Sequence, residues 1–378
     1  MKRIAFFTGN RADYGLLVPL MTYLQQHAPW ATVQLWVGGE HVVDACSDAH
    51  VQADAWPSVY RLQQYHPAPL TWDNLTLVGA WHQQAVHYLL SQHPHPDVLI
   101  VLGDRHEALA VTLACVQAHV PVVQLAAGDV TEGGALDDRY RHAISMLACY
   151  RVAFSQQSFN NLQRMGFPSE TLLSTSSLSV DNVLNEPRIP KVALFEELAL
   201  DATLPTVLFT QHPLGIEGEK AADYLWQSLE AFHRYGCQVV ATPPNLDGAS
   251  AGLASVVERS KQAHPRTVWV EHLGRRKYLS WLAACSAVVG NTSSGLYESP
   301  LFNKPSLSIG PRQQRRERAS NVVTCRYGIE SVLQGLQTVL EDAAFIAHCR
   351  EVASPFGTTP ASPVIAQALQ RLTHSGVR

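Results

Sequence analysis

Carboxylates, arginines and histidines in this chain cluster just after short apolar runs, which is where an open parallel sheet presents side chains to a ligand. The run at 98–103 leads into Asp104-Arg105. The run at 122–125 leads into Gly128-Asp129-Val130-Thr131-Glu132-Gly133-Gly134, followed by Asp137-Asp138 and Arg141-His142. Several carboxylates near one cleft supply what proton transfer at carbon needs, provided burial raises a pKa toward neutrality. A solvated acidic loop would have the same sequence, and Asp104 reads equally well as the N-cap of a helix over 107–119. His212, in Gln211-His212-Pro213, suits a general acid or a charge-stabilising donor, although a lone histidine is more often structural.

Two further segments have the make-up of anion sites. Thr8-Gly9-Asn10-Arg11-Ala12-Asp13-Tyr14-Gly15 follows a strand, and its glycines permit close backbone approach while Arg11 offers a forked contact to phosphate. Its spacing is not GxGxxG, so an ordinary strand-to-helix turn fits as well. In Gly290-Asn291-Thr292-Ser293-Ser294-Gly295-Leu296-Tyr297-Glu298, small hydroxyl residues and glycine open a helix after a strand. Free N–H groups and a positive dipole end there suit a diphosphate, with Glu298 placed to accept from ribose hydroxyls. Serine and threonine also cap helices that bind nothing.

The elements that must position these residues alternate short apolar runs with longer amphipathic ones, the pattern of an α/β fold with helices on both faces of a parallel sheet. In the first half we expect strands at 4–8, 33–38, 98–103, 122–125 and 151–155, and helices at 14–27, 74–92, 107–119, 138–147 and 157–165. After a proline-containing segment at 185–205 a second series follows, with strands at 206–210, 238–242, 267–270, 287–290 and 306–309. Two doubly wound domains facing a cleft result, at 1–185 and 186–361. The final helix, from 362, is placed to cross back onto the first domain.

The 378 residues suit two domains of ordinary size, and 46% hydrophobic with 16% charged residues argues for packed cores. A net charge of −4 provides no basic stripe for nucleic acid, despite the local run Arg312, Arg315, Arg316 and Arg318. Seven scattered cysteines without a CxxC support neither a disulfide framework nor a zinc site. The start, Met1-Lys2-Arg3 and an apolar run, is cut short by Gly9-Asn10-Arg11-Ala12-Asp13, unlike a signal peptide, and no stretch has the length of a membrane span. The expectation is a cytoplasmic protein without membrane or nucleic-acid partners.

Taken together, the segments GNRADYGLL (9–17), GDRHEALA (103–110), DVTEG (129–133), DDRYRHAI (137–144), HP (212–213), PNLDG (244–248), HLGRRKYL (272–279), GNTSSGLYES (290–299), IGPRQ (309–313) and RASNV (318–322) resemble the UDP-N-acetylglucosamine 2-epimerase family, particularly its hydrolysing, sialic-acid-pathway branch. The resemblance covers nearly the whole chain. It implies a GT-B-like pair of Rossmann-like domains, a UDP-sugar substrate, no metal or other cofactor, and a homodimer. It further implies loss of the C2 proton, departure of the nucleoside diphosphate from C1, and water addition to the resulting glycal, giving UDP and the free C2 epimer. Matching positions put Arg11, Ser293, Ser294 and Gly295 at the diphosphate and Glu298 at the ribose. Asp104, Asp129, Asp138 and His212 match acid–base and leaving-group positions, and His41, in GGEHV, matches a further active-site histidine. Arg105, Arg141, His142, Asn245, Asp247, His272 and Arg312, in the same segments, are carried over as substrate-binding.

The chain departs from the family pattern at Ala126-Ala127-Gly128-Asp129, where members commonly have a histidine, two glycines and a glutamate. An extra residue falls between Gly133 and Asp137, and Pro311 and Arg315 replace more usual residues. A shortened carboxylate withdraws its oxygens by roughly one bond length, and proton transfer tolerates little misplacement. These departures fall on the sugar side more than on the nucleotide side. A catalytically weakened nucleotide-sugar binder and a glycosyltransferase on the same scaffold are therefore the alternative readings.

Overall fold

A computed structural model describes the chain except residues 44, 63–74, 131–135, 215–216, 219, 245–251 and 376–378. The chain forms two compact units, and each is built on one parallel sheet. The first comprises Met1–Val130, Leu136–Asn182 and the C-terminal segment from Phe356; Val183–Pro355 belongs to the second.

The first sheet contains β1 (Lys2–Thr8), β2 (Ala31–Val37), β3 (Val59–Arg61), β4 (Val98–Leu102), β5 (Val122–Leu125), β6 (Tyr150–Ala153) and β7 (Leu172–Ser174), in the order β3-β2-β1-β4-β5-β6-β7. Ile4 pairs with Val33 on one side and Val98 on the other. The continuous apolar run of β1 follows from burial on both faces. Ile4 and Phe6 enter one core with Leu35 and Ile100, while Ala5 and Phe7 enter the other with Trp36, Leu99 and Val101. Burying each such large side chain contributes about 1.5–3 kcal/mol.

The second sheet contains β8 (Thr206–Thr210), β9 (Gln238–Ala241), β10 (Thr267–Trp269), β11 (Ala287–Gly290), β12 (Ser306–Ile309) and β13 (Val322–Cys325), in the order β10-β9-β8-β11-β12-β13. Val207 and Phe209 pack on one face, and Leu208 packs on the other with Trp281 and Leu282. The sequence pattern missed β3, β7 and β13. Each is an edge strand of three or four residues, too short to show a period.

The helix Ser362–Ser375 packs Ile365, Ala366 and Leu369 into the first unit's core against Leu17 and Leu24 of the helix Arg11–His27. Its start is tied by Asp181, a 1% exposed carboxylate that accepts from Ala361 N at 2.7 Å and Ser362 N at 3.0 Å. No described helix is long and apolar enough to cross a membrane. The cysteines with described side chains are free thiols, four of the six buried.

Candidate functional site

Where strand order reverses, the connections from two neighbouring strands run in opposite directions and leave a crevice beyond their carboxyl ends. That point lies between β1 and β4 in the first unit and between β8 and β11 in the second. Arg11 follows β1, Asp104 and Arg105 follow β4, His212 follows β8, and Ser293-Ser294-Gly295 follows β11.

In the first unit the carboxylates are gathered by one cation. Arg141, 1% exposed on the helix Leu136–Leu147, donates from Nη1 to Asp138 Oδ1 at 2.5 Å and to the backbone oxygen of Asp129 at 3.0 Å. Its Nη2 donates to Asp104 Oδ2. Gln124 of β5 donates to Arg141 O at 3.0 Å and fixes the helix against the sheet. The guanidinium of Arg141, carried over from the resemblance as a substrate contact, is buried among these carboxylates and holds them. Asp104 is likewise not the helix cap. The helix His106–Gln117 has Arg105 at its N-cap, without a side-chain cap bond. Asp129 is 8% exposed, and its Oδ1 accepts from Val130 N at 2.9 Å. His142 beside Arg141 is half-buried, and desolvation with that neighbouring charge lowers its pKa.

The segment after β1 is shorter than the sequence suggested. Its helix begins at Arg11 and not at 14, because the Asn10 side chain accepts from Asp13 N at 2.9 Å and caps it. Arg11 is therefore an exposed residue of the first turn. Asp13, half-buried in the same turn, has its pKa pushed up to about 8: burial raises it, Arg105 opposes, and Asp104, Glu107 and Glu40 add to the rise. The turn after β2 packs on this loop. Glu40 N donates to Gly9 O at 2.7 Å, and a side chain at Gly39 (φ +55) would bring Cβ within 2.4 Å of that oxygen, so only glycine fits. His41, 2% exposed, lies with Nε2 3.0 Å from Thr8 Oγ1 and its ring edge-on to Tyr14. His82, 1% exposed, accepts from Gly39 N at 3.1 Å while its Nδ1 lies 2.8 Å from Val78 O, which sets a neutral ring with the proton on Nδ1.

Arg105 is turned inward. It donates to Glu107 from Nε and Nη2, each at 3.2 Å, and from Nη2 to Glu40 Oε1 at 3.2 Å. Glu107 is fully buried, and His106 Nδ1 lies 3.1 Å from its Oε2. Burial pushes this carboxyl up, but Arg105 and His106 more than offset it and hold it at about 2. Glu107, Glu40, Asp13 and His82 were not anticipated as site residues. Glu107 reads in sequence as an ordinary first-turn acid; its place in a GDRHE segment beside Arg105 was the available signal.

In the second unit, three loops converge on Asn291. Its Nδ2 donates to His212 O at 2.8 Å, and its Oδ1 accepts from His212 N at 2.6 Å. Gln313, 1% exposed, donates to Asn291 O at 2.8 Å, and Arg312 donates to Pro213 O at 3.3 Å. Burial and the Arg312 charge hold the half-buried His212 at about 3, so its ring is neutral at physiological pH. The Ser294–Tyr297 helix is only four residues long. The sequence-based appeal to a helix dipole therefore fails there, and what the loop presents is its local N–H groups and hydroxyls. Ser293 is exposed, Ser294 half-buried and Gly295 buried. Burial of the Tyr278 hydroxyl and the nearby Glu298 charge raise its pKa. His272 is exposed, whereas Asn245 and Asp247 lie outside the described residues. Among the described residues no group of three or more His, Cys, Asp or Glu side chains is arranged to hold a metal ion.

Residues 76–370 match the family described as UDP-N-acetylglucosamine 2-epimerase. The chain is 27% identical over 349 residues to the Legionella pneumophila UDP-N,N'-diacetylbacillosamine 2-epimerase (hydrolyzing), covering 90% of this chain and 89% of that one. It is 30% identical over 233 residues to a Campylobacter jejuni GDP/UDP-N,N'-diacetylbacillosamine 2-epimerase (hydrolyzing), covering 60% of each. In fold it matches the crystal structure of UDP-GlcNAc 2-epimerase from Neisseria meningitidis bound to UDP-GlcNAc, with a TM-score of 0.83, 18% identity and coverage of 98% of this chain and all of that one.

Proposed function

The chain belongs to the UDP-N-acetylglucosamine 2-epimerase family, and on that premise we propose that it is a hydrolysing epimerase of a nucleoside-diphosphate 2-acetamido sugar. The substrate is UDP-N-acetylglucosamine or a relative bearing a 4-acetamido group and a 6-deoxy carbon, the latter supported by the names of the Legionella and Campylobacter relatives. In the reaction a base takes the C2 proton, the C1–O bond breaks and nucleoside diphosphate departs with its electrons, leaving a C1–C2 double bond. Water then adds its oxygen at C1, and C2 receives a proton on the opposite face.

The observation that carries this reading is the pair of carboxylates, Asp104 and Asp138, held by the buried Arg141 beside Asp129 at the ends of β4 and β5. Such a set gathers the carboxylates that proton transfer at C2 needs. Asp13, held protonated near pH 7, adds a carboxyl able to donate. Arg11, Ser293, Ser294, Gly295 and Arg312 are assigned to the diphosphate and Glu298 to the ribose, while His212 and His41 complete the acid–base set. Departure of the diphosphate needs such stabilisation, because the C2 proton is only weakly acidic.

The test is incubation in heavy water with UDP-N-acetylglucosamine and, separately, UDP-N,N'-diacetylbacillosamine, followed by proton NMR. Free UDP with a C2-deuterated free epimer is expected from one of them. Deuterated UDP-sugar without release would place the chain in a non-hydrolysing reaction, and tight UDP binding with no turnover of either would leave it a binder.

A further inference from the structure

The His212 peptide is gripped on both edges by one amide, as a neighbouring β-strand would grip it. Asn291 is 0% exposed, accepts from His212 N and donates to His212 O, and its own N–H is spent on Thr210 O at 3.0 Å. Gln313 from the loop after β12 donates to Asn291 O and accepts in turn from Arg316 at 3.2 Å. Gly290, at φ +124, lets β11 pass so close to β8 that a Cβ there would sit 1.9 Å from Thr210 O. Asn291 is thus the first residue of the Ser-rich segment and at the same time the backbone partner of His212. A carboxylate in its place could satisfy the His212 N–H but would turn a second oxygen toward the His212 carbonyl. Only an amide completes both bonds.

We propose that Asn291 is a positioning residue that holds His212 in register with the Thr292–Gly295 segment, with Gln313 as its support. This rests on the role given to His212 above, but the geometry it asserts is measurable without turnover. The charged groups nearest this assembly are Arg312, which contacts Pro213, Arg316 and Arg318, which donate to Gln313 Oε1 and O at 3.2 Å each, and Glu217, which accepts from Leu214 N at 3.0 Å and from the Tyr327 hydroxyl at 2.6 Å.

The experiment is histidine ¹⁵N NMR on the full chain, with the His212 resonances identified by their loss in His212→Asn. In the unsubstituted protein the ring is expected to stay neutral through about pH 5, since it is held near 3. In Asn291→Ala and Asn291→Ser, which add no charge beside the ring, the loop relaxes and the ring titrates near its ordinary value, about 6.5. Gln313→Leu, which removes the donor to Asn291 O, moves it in the same direction by less. With the sugar nucleotide that turns over, kcat falls about 100-fold in Asn291→Ser while UDP affinity changes by less than about threefold. A role in stability alone would lower the melting temperature and leave the His212 titration where it was; that result in the folded variants overturns the proposal. If Asn291→Ala does not fold, the other two variants decide. If the unsubstituted protein turns over no sugar nucleotide, the enzymatic reading fails while the NMR still judges this one.

Discussion

Glu107→Gln exchanges one oxygen for an amide at a position with no access to solvent, and so tests whether the Arg105–Glu107 pair is an ionised clamp. A carboxyl with an ordinary value of 4.5, held at about 2 in the fold, stabilises the folded protein by roughly 3 kcal/mol at neutral pH. Because the folded value is the lower one, this contribution is complete above about pH 4.5 and disappears as the pH falls toward 2. By pH 3.5 roughly two-fifths of it should be gone. Glutamine cannot titrate, so the stability gap between parent and variant should be about 3 kcal/mol at pH 7 and narrow by roughly two-fifths at pH 3.5. Urea unfolding of both proteins at a series of pH values measures that gap directly. Parallel curves with a constant gap would refute the reasoning, since the loss would then come from packing or a neutral hydrogen bond. Turnover should fall as well, because Arg105 would lose a charged partner.

Two further substitutions probe the supports of the site. Arg141→Met removes the buried cation between Asp104 and Asp138, and unfolding should show a loss of roughly 3–5 kcal/mol; a loss under about 1 kcal/mol would mean the carboxylates do not depend on it. Gly290→Ala meets both a glycine-only conformation and the Thr210 oxygen, and should cost about 3 kcal/mol or more. Gly166→Ala, at φ +86 with nothing within 4 Å, should cost only about 1–2 kcal/mol; equal melting temperatures for the two would show that close strand approach is not what demands glycine at 290.

The sequence by itself determined the α/β class, most strands and the segments that carry the chemistry, because strands buried on both faces write continuous apolar runs and strand ends are where polar residues then fall. Ile4–Phe7 and Val98–Leu102 are legible for that reason. Tertiary structure decided which partners and how much burial each polar residue has there. Asp104 was balanced between cap and site until Arg141, distant in sequence, was seen to hold it. Arg141 proved to be buried between carboxylates, and the dipole expected behind Ser293 vanished when the helix proved to be one turn. Glu107 and Asn291 look unremarkable in the sequence; only sheet register brings an acid beneath Gly9 and an amide against the His212 peptide. Side-chain type is local information, whereas burial and partners depend on chain segments that meet only after folding. The charge state of Glu107 and the orientation of His212 are properties of those meetings.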